Sequence, residues 1–164
     1  MIINHKFRVG YFSLVDNYKI RLTKQEMLIG SITGVIRHVE SLEHGMKLRF
    51  PEQYPNQSLL NNQLGSLSEM AYAKMVNAYY SHSVNTFHVA DIGDNIEVRY
   101  SNMDKLKVRA TDKDVYVVSM SGTLPELVYN GYIWCENAKR PEWSKDYNNH
   151  GVSAYFVPLT ELII

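Results

Sequence analysis

The chain begins with two short apolar stretches rich in β-branched and aromatic residues, FRVGYFSLV and YKIRL, separated by Asp16-Asn17. Asx residues between such stretches favour a chain reversal, so 7–22 is predicted to be a β-hairpin. At Thr23 the period changes. Thr23-Lys24-Gln25-Glu26 has the spacing of a capping box, in which the threonine hydroxyl and the glutamate carboxylate each satisfy an orphan N–H of the first turn. Beyond it Leu28, Ile32, Val35, Val39 and Leu42 recur at steps of three and four, the period of one helix face, and the helix is expected to end near Gly45. Its polar face carries Arg37, His38, Glu40 and Glu43 and reads as a solvated surface.

Residues 46–62, MKLRFPEQYPNQSLLNN, hold two prolines and little periodicity, and read as a loop long enough to be functional. Leu60, Leu64, Leu67, Ala71 and Met75 then follow helical steps. This second helix starts either near Ser58 or at Ser66, where Ser66-Leu67-Ser68-Glu69 repeats the capping-box pattern. From Phe87 the chain reads as successive strands at 87–92, 96–101, 106–110, 115–120, 127–134 and 152–157, with turn residues between them. A hairpin (7–22), a helical part (23–82) and a sheet-rich part (86–160) form an α+β pattern. We expect a single domain over 1–164, with a mostly antiparallel or mixed curved sheet flanked by two main helices. At 164 residues the chain is about the size of one domain.

With 45% hydrophobic and 21% charged residues the chain has enough apolar surface to fold, which excludes the disordered and low-complexity classes. Seventeen Lys and Arg balance seventeen Asp and Glu, so no global basic field attracts a polyanion and any nucleic-acid contact has to be local. The lone Cys135 cannot form an intramolecular disulfide and is expected to be a buried structural thiol. No apolar signal-like run opens the sequence, and no window approaches the ~18 consecutive apolar residues of a membrane span. The expectation is a cytoplasmic protein without a membrane partner.

The segment with candidate chemistry is HVADIGDNIEVRY, His88 to Tyr100. If Gly93, Asp94 and Asn95 form the loop, Ile92 pairs with Ile96 and Asp91 lies opposite Glu97, their Cβ atoms roughly 4.5–5.5 Å apart. Arg99 then joins the same face. A two-residue loop at Asp94-Asn95 would place the two acids on opposite faces. Facing carboxylates repel each other, and a divalent cation with oxygen ligands relieves that repulsion. Two carboxylates holding Mg²⁺ or Mn²⁺, with a cation beside them, are the parts of metal-assisted phosphodiester hydrolysis. Glu69, on the preceding helix, is the candidate third carboxylate; alternatively it only caps Ser66.

This combination resembles the PD-(D/E)XK (restriction-endonuclease-like) nuclease superfamily, in which a helix glutamate, a strand aspartate and an acid-x-lysine surround one or two metal ions. The corresponding positions are Glu69, Asp91 and Glu97-Val98-Arg99. ADIGDNIEVRYS, together with LKVRATDKDVYVV, GYIWCENAKRPEW and SAYFVP, is also similar to small uncharacterised phage-type proteins of that fold, across roughly the last half of the chain. Ala90 stands where the family often has proline, and Arg99 where it has lysine. Arginine stays protonated, so it can stabilise an anionic transition state but cannot act as a base. The resemblance implies a metal-dependent nuclease acting on DNA, located in the host cytoplasm if viral. Glu69, Asp91, Glu97 and Arg99 would be catalytic, and Asp91, Glu97 and Glu69 would hold Mg²⁺ or Mn²⁺. The alternative it implies is a non-catalytic binding or assembly protein of phage or mobile-element origin, with a protein partner or a second copy.

Lys105, Lys107 and Arg109 alternate with Leu106 and Val108, which puts three cations on one face of a strand. Lys107 and Arg109 are candidate substrate contacts, and a solvated sheet face is the competing reading. Lys139-Arg140 with Tyr132, Trp134, Trp143 and Tyr147 could extend such a surface. The six histidines lack zinc-ligand spacing, and the glycines do not form a phosphate loop.

Overall fold

The computed structural model of the chain describes residues 18–44, 56–84, 89–146 and 153–164. Of the predicted first hairpin, residues 7–17 lie outside that set. Its second arm is a strand, β1 (Tyr18–Arg21). The Thr23 capping box forms as expected: Glu26 N–H donates to Thr23 Oγ1 at 3.2 Å and Thr23 N–H donates to Glu26 Oε2 at 2.6 Å. It opens helix α1 (Lys24–Glu43), closed by His44. Helix α2 (Gln57–Met75) starts next to Ser58, the earlier of the two expected sites, so the end of the expected loop, 57–62, is helical, while 46–55 lie outside the described residues. Ser66 is not a cap. It lies inside α2 and its hydroxyl shares a 2.8 Å hydrogen bond with the Tyr80 hydroxyl.

The two helices meet through small residues. A Cβ on Gly34 would stand 2.4 Å from Gln63 Cα, and one on Gly30 would stand 2.7 Å from Leu67 Cδ2. Close backbone approach of this kind requires glycine. Gly30, Thr33 and Gly34 are accordingly the buried positions of α1. The amphipathic pattern implies the opposite rotation. Leu28, Ile32, Val35, Val39 and Leu42 face outward and are exposed, whereas Arg37, from the expected solvated face, turns inward.

Five of the six predicted strands form: β2 (Ile96–Tyr100), β3 (Lys105–Arg109), β4 (Tyr116–Thr123), β5 (Glu126–Trp134) and, after a short β6 (Ser144–Lys145), β7 (Ala154–Pro158). The expected strand at 87–92 does not: 85–88 lie outside the described residues, and 89–92 contribute a single antiparallel bridge at Ile92. Pro141–Trp143 forms a short helical turn.

The expected single curved sheet is instead two sheets, β1-β5-β4-β2 and β3-β7-β6. β2 runs parallel to β4, and the other neighbouring pairs are antiparallel. A parallel pair needs a long crossover, and here the chain supplies one by leaving the first sheet to lay down β3 in the second. Opposite faces of β4 feed two apolar clusters. Val118 and Met120 join Leu67, Met70 and Ala71 of α2, while Val117 joins Leu106, Val108, Ile133 and Val157 between the sheets. Cys135 is buried in the second cluster, as expected. Among the described residues no helix is long and apolar enough to cross a membrane.

Gly34→Ala should lower stability by roughly 1–3 kcal/mol, because the methyl meets the α2 backbone and that clash outweighs the better helix propensity of alanine. Gly65→Ala, where a Cβ meets nothing within 4 Å, should raise it by about 0.5–1 kcal/mol. Urea denaturation of the two variants beside the parent protein measures both.

Candidate functional site

The site begins at the turn between Ile92 and Ile96. Gly93 takes φ +60, a left-handed conformation open to glycine at little cost, and Ile92 N–H donates to the Ile96 carbonyl at 3.1 Å. The bridge gives the three-residue loop and sets Asp91 across from Glu97. Asp91 Oδ2 accepts from Val98 N–H at 2.8 Å, which fixes its carboxylate over the start of β2. Glu97 and Arg99 share one face of that strand, with Arg99 Nη2 3.6 Å from Glu97 Oε2. Val98, between them, enters the core.

Arg99 is held from behind. Its Nη2 donates to both oxygens of Asp112 at 2.8 Å, and Asp112 Oδ2 also accepts Arg109 N–H at 2.7 Å. Arg99 Nε is buried without a hydrogen-bond partner. Glu69 projects from α2 onto α1: Arg37 Nη1 and Nη2 donate to its two oxygens at 2.6 and 2.7 Å, and Arg37 Nε donates to the Ser83 carbonyl at 2.9 Å. Glu69 is therefore one half of a buried ion pair and does not cap Ser66.

All six predicted site residues, Glu69, Asp91, Glu97, Arg99, Lys107 and Arg109, line one cavity of about 570 Å³, together with Arg37 and Lys105. The basic face of β3 forms one wall, since Leu106 and Val108 are fully buried on its other side. The aromatic and basic group nearer the C-terminus does not reach the cavity. Lys139 pairs with Glu136 at 2.8 Å, and the Arg140 guanidinium lies 4.5 Å from the centre of the Trp143 ring. Tyr147, His5, His88 and His150 lie outside the described residues. Among the described residues no three His, Cys, Asp or Glu side chains stand close enough to share a metal ion. Both Glu69 oxygens are engaged by Arg37, and the acids that face each other are Asp91 and Glu97.

Burial shapes the charges. It pushes the Glu97 carboxyl up to about 7, with the Asp91 charge adding to the rise and Arg99 opposing it. Asp91 is raised by burial against the pull of Val98 N–H and of Arg37. Glu69 is also raised to about 7 by burial, against the Arg37 hydrogen bonds and with Asp91 pushing the same way as burial. Burial pulls the Arg99 guanidinium down, and neighbouring Arg109 adds to that effect. Arg37 stays above its ordinary value because Glu69 outweighs the cost of burying the cation.

Two residues that organise the cavity were not singled out by sequence reasoning. Asp112 lies in a segment that reads only as a turn. Arg37 carried one weak signal: it is three residues beyond Gly34 and seven beyond Gly30, on the small-residue face of its helix.

Arg37→Met should destabilise the fold by roughly 3–5 kcal/mol, because it leaves the Glu69 carboxylate buried without its cation. Arg37→Met combined with Glu69→Leu should recover at least half of that loss. A double-mutant cycle by chemical denaturation is the measurement.

Comparison of the chain with protein-family models, curated proteins and solved structures returns no match.

Proposed function

We propose that the cavity is a divalent-metal-dependent site for hydrolysing DNA phosphodiester bonds. One observation carries the reading: two carboxylates, Asp91 and Glu97, on either side of the Ile92–Ile96 bridge and close enough for the Asp91 charge to act on Glu97, line a cavity whose other walls carry Arg37, Arg99, Lys105, Lys107 and Arg109. The donor set suits Mg²⁺ or Mn²⁺. Mg²⁺ commonly binds through one or two carboxylates, with waters and substrate phosphate completing its shell, so the facing pair suffices without Glu69. Glu97 fits the part, because its ion-pair neighbour Arg99 stands 3.6 Å away, beyond a close hydrogen bond. When bound, the ion supplies a water of lowered pKa and charge stabilisation at the phosphorus centre.

Asp91 and Glu97 would hold the ion. Arg99 would face the scissile phosphate and offset the negative charge that develops there; as a permanent cation it moves no proton. Lys107 and Arg109 would contact backbone phosphates, supplying the local attraction that a chain of zero net charge needs. Glu69 keeps Arg37 aimed at the cavity and acts as a positioning residue. A second reading, a non-catalytic DNA-binding protein with the same cavity, draws support from Arg99 itself: it replaces the lysine of the resembled motif and is engaged by Asp112.

Incubation of supercoiled, linear duplex and single-stranded DNA with the protein and Mg²⁺ or Mn²⁺ should give cleavage that Asp91→Asn and Glu97→Gln each reduce at least a hundredfold. DNA binding without cleavage of any form, by folded protein, favours the second reading.

The Glu97 carboxyl makes a separate prediction for the metal-free protein. Glu97 is raised to about 7 in the folded chain from an ordinary value of 4.5, so the fold prefers it protonated. That stabilisation is complete below pH 4.5 and is lost as pH rises through about 7. Glu97→Gln should flatten the loss, and saturating Mg²⁺, which favours ionised carboxylates, should reverse it in the parent protein only. Urea denaturation from about pH 5 to pH 8, with and without Mg²⁺, checks both expectations.

A further inference from the structure

Among the described residues the outer face of α1 carries an apolar seam that nothing covers. Leu28, Ile32, Val35, Val39 and Leu42 follow alternating steps of four and three, a mean period of 3.5 residues that matches the heptad of paired helices. In heptad terms Ile32 and Val39 occupy the a positions, and Leu28, Val35 and Leu42 the d positions. Ile29 and Ile36 broaden the seam along one edge. Each of these seven side chains leaves between 38% and 63% of its surface open. The face toward the chain's own core is already occupied: Gly30, Thr33 and Gly34 are buried against α2, and Arg37 and Ser41 line the cavity.

Seven large side chains about half open amount to on the order of 600 Å² of continuous apolar surface, the upper limit of what monomers ordinarily leave in one patch. With a polar rim this comes within reach of the ~800 Å² per partner that a stable dimer buries. The spacing also indicates what covers it. A seam built on a and d positions is complementary to another helix of the same period, and Ile32 and Val39 at a with Leu28 and Leu42 at two of the three d positions favour two strands. One such patch per chain becomes self-complementary about a two-fold axis. An anionic bilayer fits poorly, because the seam lacks aromatic residues and its flanks carry Glu40 and Glu43 where a membrane-surface helix carries lysines.

We propose that α1 is a homodimer interface, packing along this seam against α1 of a second copy. The contact lies on the far side of the helix from Arg37 and Ser41, so both cavities remain open in the dimer. The proposal does not depend on the nuclease reading and is tested without DNA or metal.

Sedimentation velocity of the full chain from about 1 to 100 µM should show a species of twice the 18.9 kDa chain mass. Ile32→Glu combined with Val39→Glu should be monomeric throughout, with an unchanged far-UV circular dichroism spectrum, since both positions are exposed in the single chain. The milder pair Ile32→Ala and Val39→Ala keeps good helix formers at both positions and should raise the dimer Kd at least tenfold, so a folding failure of the charged variant does not block the test. A parent protein monomeric across that range overturns the proposal, whether its α1 face binds vesicles or is shielded by the chain itself. A dimer whose Kd neither variant changes overturns it as well.

Discussion

Carboxylates removed from water require a positive charge or an N–H donor, and the arrangement around the cavity follows from that requirement. Glu69 is met by the Arg37 fork, Asp112 by Arg99 and the Arg109 N–H, and Asp91 by the Val98 N–H. The arginine partners lie on other elements than the acids they meet, so satisfying Glu69 and Asp112 fastens α1 to α2 and the β3-to-β4 turn to β2. Glu97 is the least compensated of the group. Burial raises its pKa, the Asp91 charge adds to the rise, and the Arg99 contact at 3.6 Å opposes it.

The Arg37–Glu69 pair and the glycine contact with α2 both go with the rotation of α1. Turning the glycine face toward α2 lets the backbones close in and carries Arg37 to its anion. Turning the apolar stripe inward would bury more hydrocarbon but would strand Glu69 in the interior. A buried carboxylate without its cation costs several kcal/mol. The outward stripe is thus coupled to the ion pair, and the same helix presents a polar face to the cavity and an apolar face to its surroundings.

Local chemistry was legible in the sequence, and distant pairing was not. The Thr23 capping box and the three-residue loop at Gly93 involve neighbours in the chain, and both formed as read. The facing of Asp91 and Glu97 followed from that loop, and the common face of Glu97 and Arg99 from strand alternation. Arg37 and Glu69 are 32 residues apart, and Arg99 and Asp112 are 13 apart. No periodicity links such positions. The overextended strand at 87–92 has a related cause: a β-rich composition marks the residues, but a ladder also needs a neighbour, and β2 found its neighbour in β4.

By itself the sequence determined that two helices precede a strand-rich part, the capping box that opens the first helix, and which residues alternate on β2 and β3, so that Glu97 and Arg99 share one face. These are consequences of backbone geometry over a few residues, which any tertiary setting preserves. Only the tertiary structure decided that the strands divide into two sheets, that Glu69 pairs with Arg37 across the helix contact, and which face of α1 looks outward. Those outcomes depend on the balance between apolar burial and the desolvation of charge, which is settled only when elements distant in the chain compete for the same space.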